Sequence, residues 1–193
     1  MKIFKFLTIL SLFCISLFGL DKDEIKQNVS IKINEALENL AKKEIDEDTK
    51  LNNLFKIFDP MFDYKQMAKI SLGKRFNSLS KDEQDEFSKA FEIKLKNSYI
   101  DKIKSYSGEK IQIKDANEPQ PRRYFLNGEL ISDGKSYEFV FKFYDAKERG
   151  WLIYDIDIIG VSIMQTYRSQ FADMLESADF ATLMAKLNES SQK

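Results

Sequence analysis

Apolar residues recur at helical spacing along the first half of the chain, at strand spacing through its middle, and at helical spacing again near its end. From 21 to 43, Ile25, Val29, Ile33, Leu37 and Leu40 fall three or four apart with charges between them, which predicts an amphipathic helix. Asp46, Glu47 and Asp48 break that stripe and suit the start of a second helix carrying Leu51, Leu54, Phe55 and Phe58. Pro60 biases Asp59 away from helix. A short helix runs from Asp63 through Met67 and Ile70 to Leu72, where Gly73 is placed to end it. Ser80-Lys81-Asp82-Glu83 has the form of a capping box. It opens the longest helix, whose stripe of Phe87, Phe91, Leu95, Tyr99, Ile103 and Tyr106 makes an aromatic wall that either packs the core or lines a cavity.

After Gly108 the period changes to two. Ile111 and Ile113 share a face over 110–115, and Tyr124, Leu126 and Leu130 oppose Phe125, Asn127, Glu129 and Ile131 over 123–132. Pro119 and Pro121 sit in the connection between these strands, where proline costs no ladder bond. Asp133-Gly134 is a two-residue hairpin signal. It leads to a strand over 135–144 with Tyr137, Phe139, Phe141 and Phe143 on one face and Glu138 and Lys142 on the other. Past a polar turn, 151–158 alternates again, with Leu152, Tyr154, Ile156 and Ile158 on one side and Trp151, Ile153, Asp155 and Asp157 on the other. Gly160 permits a sharp corner. Ser162 is placed to N-cap a helix bearing Met164, Tyr167, Phe171, Met174 and Leu175. Asp179 caps a last helix through Phe180, Leu183, Met184 and Leu187. This order predicts an α+β fold: a curved four-stranded antiparallel sheet covered by N-terminal and C-terminal helices, with aromatic side chains that fill or line an apolar cavity between the layers. No repeat or linker divides 21–193, which reads as a single domain.

Composition narrows the chemistry. Residues 1–20, with Lys2 and Lys5 ahead of an apolar run over 6–18, read as a cleaved secretory signal. Phe13 stands where a lipoprotein signal needs a small residue before Cys14. Cys14 is the one cysteine and histidine is absent, so the exported chain would hold no disulfide and must be stabilised by its core. Triads of the usual kind are excluded, as are the commonest metal ligands, and we expect no catalytic residue and no metal site. A formal net charge of −1 implies no basic face for nucleic acid. Two constellations stay open. Asp155 and Asp157 either pair for acid–base or metal work or lie at the solvated end of their strand. Arg168, beside Tyr167 and Gln170, either holds a phosphate or carboxylate at a cavity mouth or pairs with a neighbouring acid.

The segment FDYKQMAKISLGKRF (62–76), the helix SKDEQDEFSKAFEIKLKNSYIDKIKSYSGEKI (80–111), Trp151 with Tyr154-Asp155, Gly160-Val161-Ser162, YRSQF (167–171) and the last helix carry a resemblance over nearly all of the chain from Ala36 onward. It is similar to MlaC-type periplasmic phospholipid-transport proteins, also called toluene-tolerance auxiliary components of an ABC transporter. Phe76, where tryptophan is common, and Ile159, where an acid is common, depart from the pattern. The resemblance implies a nuclear-transport-factor-like cone with acyl chains buried between helices and sheet, and phospholipid as cargo without any cofactor. It implies a periplasmic carrier between an inner-membrane ABC transporter complex, with its substrate-binding subunit, and an outer-membrane lipoprotein–porin complex. On this resemblance the lipid-binding residues are expected to be Phe87, Phe91, Leu95 and Tyr99 from the helix and Phe139, Phe141, Phe143 and Tyr154 from the sheet. Val161 and Tyr167 are expected near the mouth, with Arg168 able to meet a phosphate. Two other readings compete: an isomerase or dehydratase on the same cone, using Asp155 with Tyr137 or Tyr99, and a periplasmic chaperone or interaction module with an exposed apolar groove.

Overall fold

The computed structural model describes residues 20–189, so the leader expected over 1–20 lies, save for Leu20, outside the described residues. Local sequence sets the helix ends. Helices α1 (Ile25–Ala41), α2 (Glu47–Phe58), α3 (Tyr64–Leu72) and α4 (Lys81–Lys104) precede the sheet, and α5 (Ile163–Ser177) and α6 (Phe180–Glu189) follow it. Asp46 accepts from the Thr49 amide at 2.9 Å and starts α2. The capping box forms at α4, with Ser80 and Glu83 satisfying each other's amides. Gly73, at φ +62°, ends α3. Asn39, buried on α1, donates to the Lys50 carbonyl at 2.8 Å and accepts from Asn53 at 3.1 Å, which ties α1 to α2.

The strands β1 (Lys110–Asn117), β2 (Arg123–Ser132), β3 (Lys135–Asp145), β4 (Trp151–Ile158) and β5 (Val161–Ser162) lie side by side in chain order, all antiparallel. The sheet thus has five strands where the hydropathy pattern predicts four. The fifth is two residues long, and a two-residue turn at Ile159-Gly160 folds it back on β4 before α5 begins. Strict alternation also fails in β4. Lys142 faces Asp155 but Phe143 faces Ile153, so Tyr154 is a bulge that flips the register. Ile153 therefore joins Ile156 and Ile158 on the face of Phe139, Phe141 and Phe143, while Leu152 lies across from Tyr144 on the other face.

Two cores result. The inner face of the sheet, through Leu126, Phe143 and Ile153, packs on Ile25, Val29 and Ile33 of α1. A second core fills the bundle of α3 to α6 around Met67, Phe87, Phe91, Phe171 and Leu183. Phe62 and Ile156 border both. In the sheet Gly128 faces Phe139, and a Cβ at Gly128 would lie 2.4 Å from that ring. Gly128→Ala should therefore displace the ring and lower stability by about 1–3 kcal/mol, read as a shifted urea midpoint at constant slope.

Candidate functional site

Where the two cores meet, their side chains leave an apolar chamber of about 150 Å³. Phe55 and Phe58 of α2 form one wall, Leu95 and Tyr99 of α4 another, and Phe62, Met67, Ile156 and Ile163 complete it. The polar groups at its edge are tied outward. Tyr64 donates its hydroxyl to Asp59 at 2.8 Å, and burial together with that hydrogen bond pushes the phenol far up. Lys96 reaches Asp59 at 2.7 Å and Glu92 at 2.6 Å, with its ammonium over the rings of Phe55 (5.2 Å) and Tyr64 (4.7 Å). Its stem closes the chamber while its charge stays neutralised at the rim.

Tyr99 and Ile163 also line a second, outer hollow of about 420 Å³, so the apolar chamber adjoins an amphipathic vestibule. Ile158 and Val161 form its apolar side, and Lys94, Ser98, Thr166 and Gln170 its polar side. Ser98 and Tyr167 share a 3.0 Å hydrogen bond across it, joining α4 to α5. Tyr99 sits at the boundary, its phenol pushed up to about 12 chiefly by burial.

The corner beside the vestibule is held by Asp155. This buried carboxylate accepts from the amides of Ile156 (2.9 Å) and Met164 (3.1 Å), from Ser162 Oγ (2.7 Å) and from Lys142 Nζ (3.2 Å). Ser162 in turn caps α5 by accepting from the Gln165 amide at 3.0 Å. Four donors occupy Asp155, and Lys142 also binds Asp157 at 2.5 Å. Tyr137 lies on the opposite sheet face from Asp155, so these two do not form an acid–base pair.

The family described as MlaC protein matches residues 27–189. The chain belongs to the MlaC family. Comparison with curated proteins gives no significant match. Among solved structures, a phospholipid-binding protein from Ralstonia solanacearum, solved in complex with a phospholipid, shares the fold with a TM-score of 0.74. The two are 19% identical, and the match covers 86% of this chain and 96% of that one.

Within this MlaC-family fold the residues expected to contact lipid separate into groups. Leu95 and Tyr99 line the inner chamber, and Tyr99, Val161 and Tyr167 line the vestibule. The aromatic stripe of α4 thus divides halfway: Phe87 and Phe91 are fully buried in the bundle, stacked with each other and edge-on to Phe171, and line neither hollow. Phe143 is fully buried against α1, Phe139 covers Gly128, and Phe141 packs between Phe139 and the sheet–α1 core. Tyr154 is turned by its bulge to the far face, edge-on to Tyr144 and 5.0 Å from the Arg123 guanidinium. Arg168 leaves α5 on a different face from Tyr167. It lies over Gly73, where a Cβ would come within 3.3 Å of its Nε, beside Lys69 and Lys74 at the C-terminus of α3. That negative helix end accounts for the three cations gathered there. Sequence reasoning missed Phe55 and Phe58, whose signal was only that α2 carries more large apolar residues than one buried stripe needs, and Phe62 and Lys96, which lie outside α2 and gave none.

No helix among the described residues is long and apolar enough to cross a membrane, and no cluster of metal-binding side chains occurs among them.

Proposed function

We propose that the protein is a periplasmic phospholipid carrier, holding acyl chain in the apolar chamber and the headgroup end in the vestibule. In this role it passes phospholipid between an inner-membrane ABC transporter complex and an outer-membrane complex. The observation that carries the reading is the pairing of an apolar chamber with an amphipathic vestibule through Tyr99 and Ile163. Membership of the MlaC family and the phospholipid held by the Ralstonia protein support it. Each methylene removed from water contributes about 0.8 kcal/mol, so an acyl chain needs shape and apolarity rather than reacting groups. Lys94 is the cation at the vestibule and the group placed to meet a headgroup phosphate.

A chamber of about 150 Å³ is of the size that takes one benzene-sized guest. A full acyl chain therefore requires the chamber to widen. The α2 wall meets α4 through Phe55, whose ring lies under the Lys96 ammonium, and through the Asp48–Lys104 contact at 3.8 Å. Native mass spectrometry of the purified protein, followed by organic extraction, tests the reading. A stoichiometric phospholipid adduct is expected; a clean protein mass, with phospholipid also refused in a loading assay, would overturn it.

A further inference from the structure

We infer that the hairpin tip at 158–161 is a lipid-surface contact that seats the vestibule on a bilayer, an inference that rests on the carrier reading above. The large apolar side chains exposed among the described residues are Ile31, Ile93, Tyr137, Ile158, Ile159 and Val161. Four of the six meet at one end of the sheet. Phe139 pairs with Ile158, Ile158 with Val161, and the Ile159 amide donates to the Glu138 carbonyl at 2.8 Å, which brings Tyr137 alongside. Ile159 and Val161 are 62% and 61% exposed.

The backbone gives the second observation. Ile159 and Gly160 have φ of +52° and +77°, the pair of left-handed angles of a type I′ turn. The β2–β3 hairpin has the same geometry at Asp133 and Gly134, with φ of +50° and +74°. Aspartate suits that position, since it tolerates left-handed angles; a β-branched residue there is a steric outlier. The other non-glycine residues at positive φ are Arg122, Asp133 and Lys147, none of them β-branched. Ile159 is thus strained, and its exposed side chain gains little packing within the chain to offset that. Strain without internal compensation points to a contact outside the molecule.

The occupant follows from shape and continuity. A two-residue turn is convex and too narrow for the area of a specific protein interface, but a deformable apolar phase accepts such a wedge. The ladder pair and the bond to Glu138 already satisfy amides at the tip, which lowers the cost of entering a water-free region. Ile158 and Val161 continue directly into the vestibule, and Tyr99 and Ile163 from there into the chamber. An acyl chain leaving a bilayer along this path stays against apolar side chains throughout.

Ile159→Asn tests the inference. It gives the asparagine–glycine pair that type I′ turns favour, so the melting temperature should hold or rise. Ile159 lines neither hollow, so loading with monomeric dihexanoyl phosphatidylcholine should be unchanged. Extraction of a fluorescent phospholipid from vesicles of phosphatidylethanolamine and phosphatidylglycerol should slow by about tenfold or more, the factor expected for losing one buried isoleucine side chain. Unchanged extraction would overturn the bilayer contact, as would an original protein that takes the monomeric lipid but extracts none from vesicles. Equal loss in both assays would overturn it by making the tip part of the lipid site. If the original protein takes up neither lipid, the carrier reading fails and this inference with it.

Discussion

Leu95→Trp should abolish stoichiometric phospholipid binding while leaving the protein folded. Leu95 projects from α4 into the inner chamber, with Phe62, Met67 and Ile163 among the residues that complete the wall. An indole in that space occupies the volume the proposed acyl chain needs. Excluding even four methylenes from apolar burial costs about 3 kcal/mol, or roughly a hundredfold in affinity. Overpacking a filled core costs about 1–3 kcal/mol, and here the chamber receives part of the added bulk, so the stability loss should fall at the low end. Phe87→Ala is the contrasting variant. Phe87 lies fully buried among Phe76, Phe91, Phe171 and Phe180, so its truncation should cost about 3–5 kcal/mol without changing the affinity of the folded fraction. Lipid titration and urea unfolding of both variants separate chamber from core. Equal lipid affinity in Leu95→Trp and the original protein would remove the chamber from the proposed path.

Asp63→Asn should lower stability by about 2–4 kcal/mol at neutral pH through the lost charge-assisted hydrogen bonds from Arg149 and Tyr144, since asparagine caps a helix about as well as aspartate. Asp63 is buried, yet it holds three elements together. Its carboxylate accepts from the Gln66 amide at 3.0 Å to start α3, from Arg149 at 2.5 Å, and from the Tyr144 hydroxyl. Its own amide donates to the Ile153 carbonyl at 2.9 Å, on the part of the β4 edge that β5 does not reach. Burial alone would raise this carboxyl, but the bonds from Tyr144, Gln66 and Arg149 outweigh it and hold the group below the usual aspartate range. Burial, together with the same contact, pushes the Tyr144 phenol up to about 12. Because the folded value is depressed, the stabilisation is fully present above about pH 4, the unfolded value, and is lost as pH falls through the folded one. Denaturation from pH 7 down to 3 should show this limb in the original protein and a flatter one in Asp63→Asn. Identical slopes would mean that the clamp contributes nothing through its charge.

How much of this was legible beforehand differs from element to element. The capping residues Ser80 and Ser162 and the terminator Gly73 act over three or four residues of backbone, and each stands in the structure where local chemistry requires it. The Asp133-Gly134 hairpin was equally plain, because its residues suit its angles. At Ile159-Gly160 the first residue contradicts its angles, so the turn and the two-residue strand after it gave no signal beyond a glycine corner. The bulge at Tyr154 was hidden for a related reason: strict alternation assigns faces only while the ladder stays in step, and nothing in the residues themselves marks where it slips.

The aromatic stripe of α4 shows the same boundary between local and global information. Spacing alone placed Phe87, Phe91, Leu95 and Tyr99 on one face of one helix. What that face meets changes along its length: α5 and α6 fill the space beside Phe87 and Phe91, while α2 stands away from Leu95 and Tyr99 and leaves a chamber. Periodicity encodes direction and apolarity, which are properties of one element. A cavity is a volume that several elements fail to fill, so only their packing against one another decides where it lies.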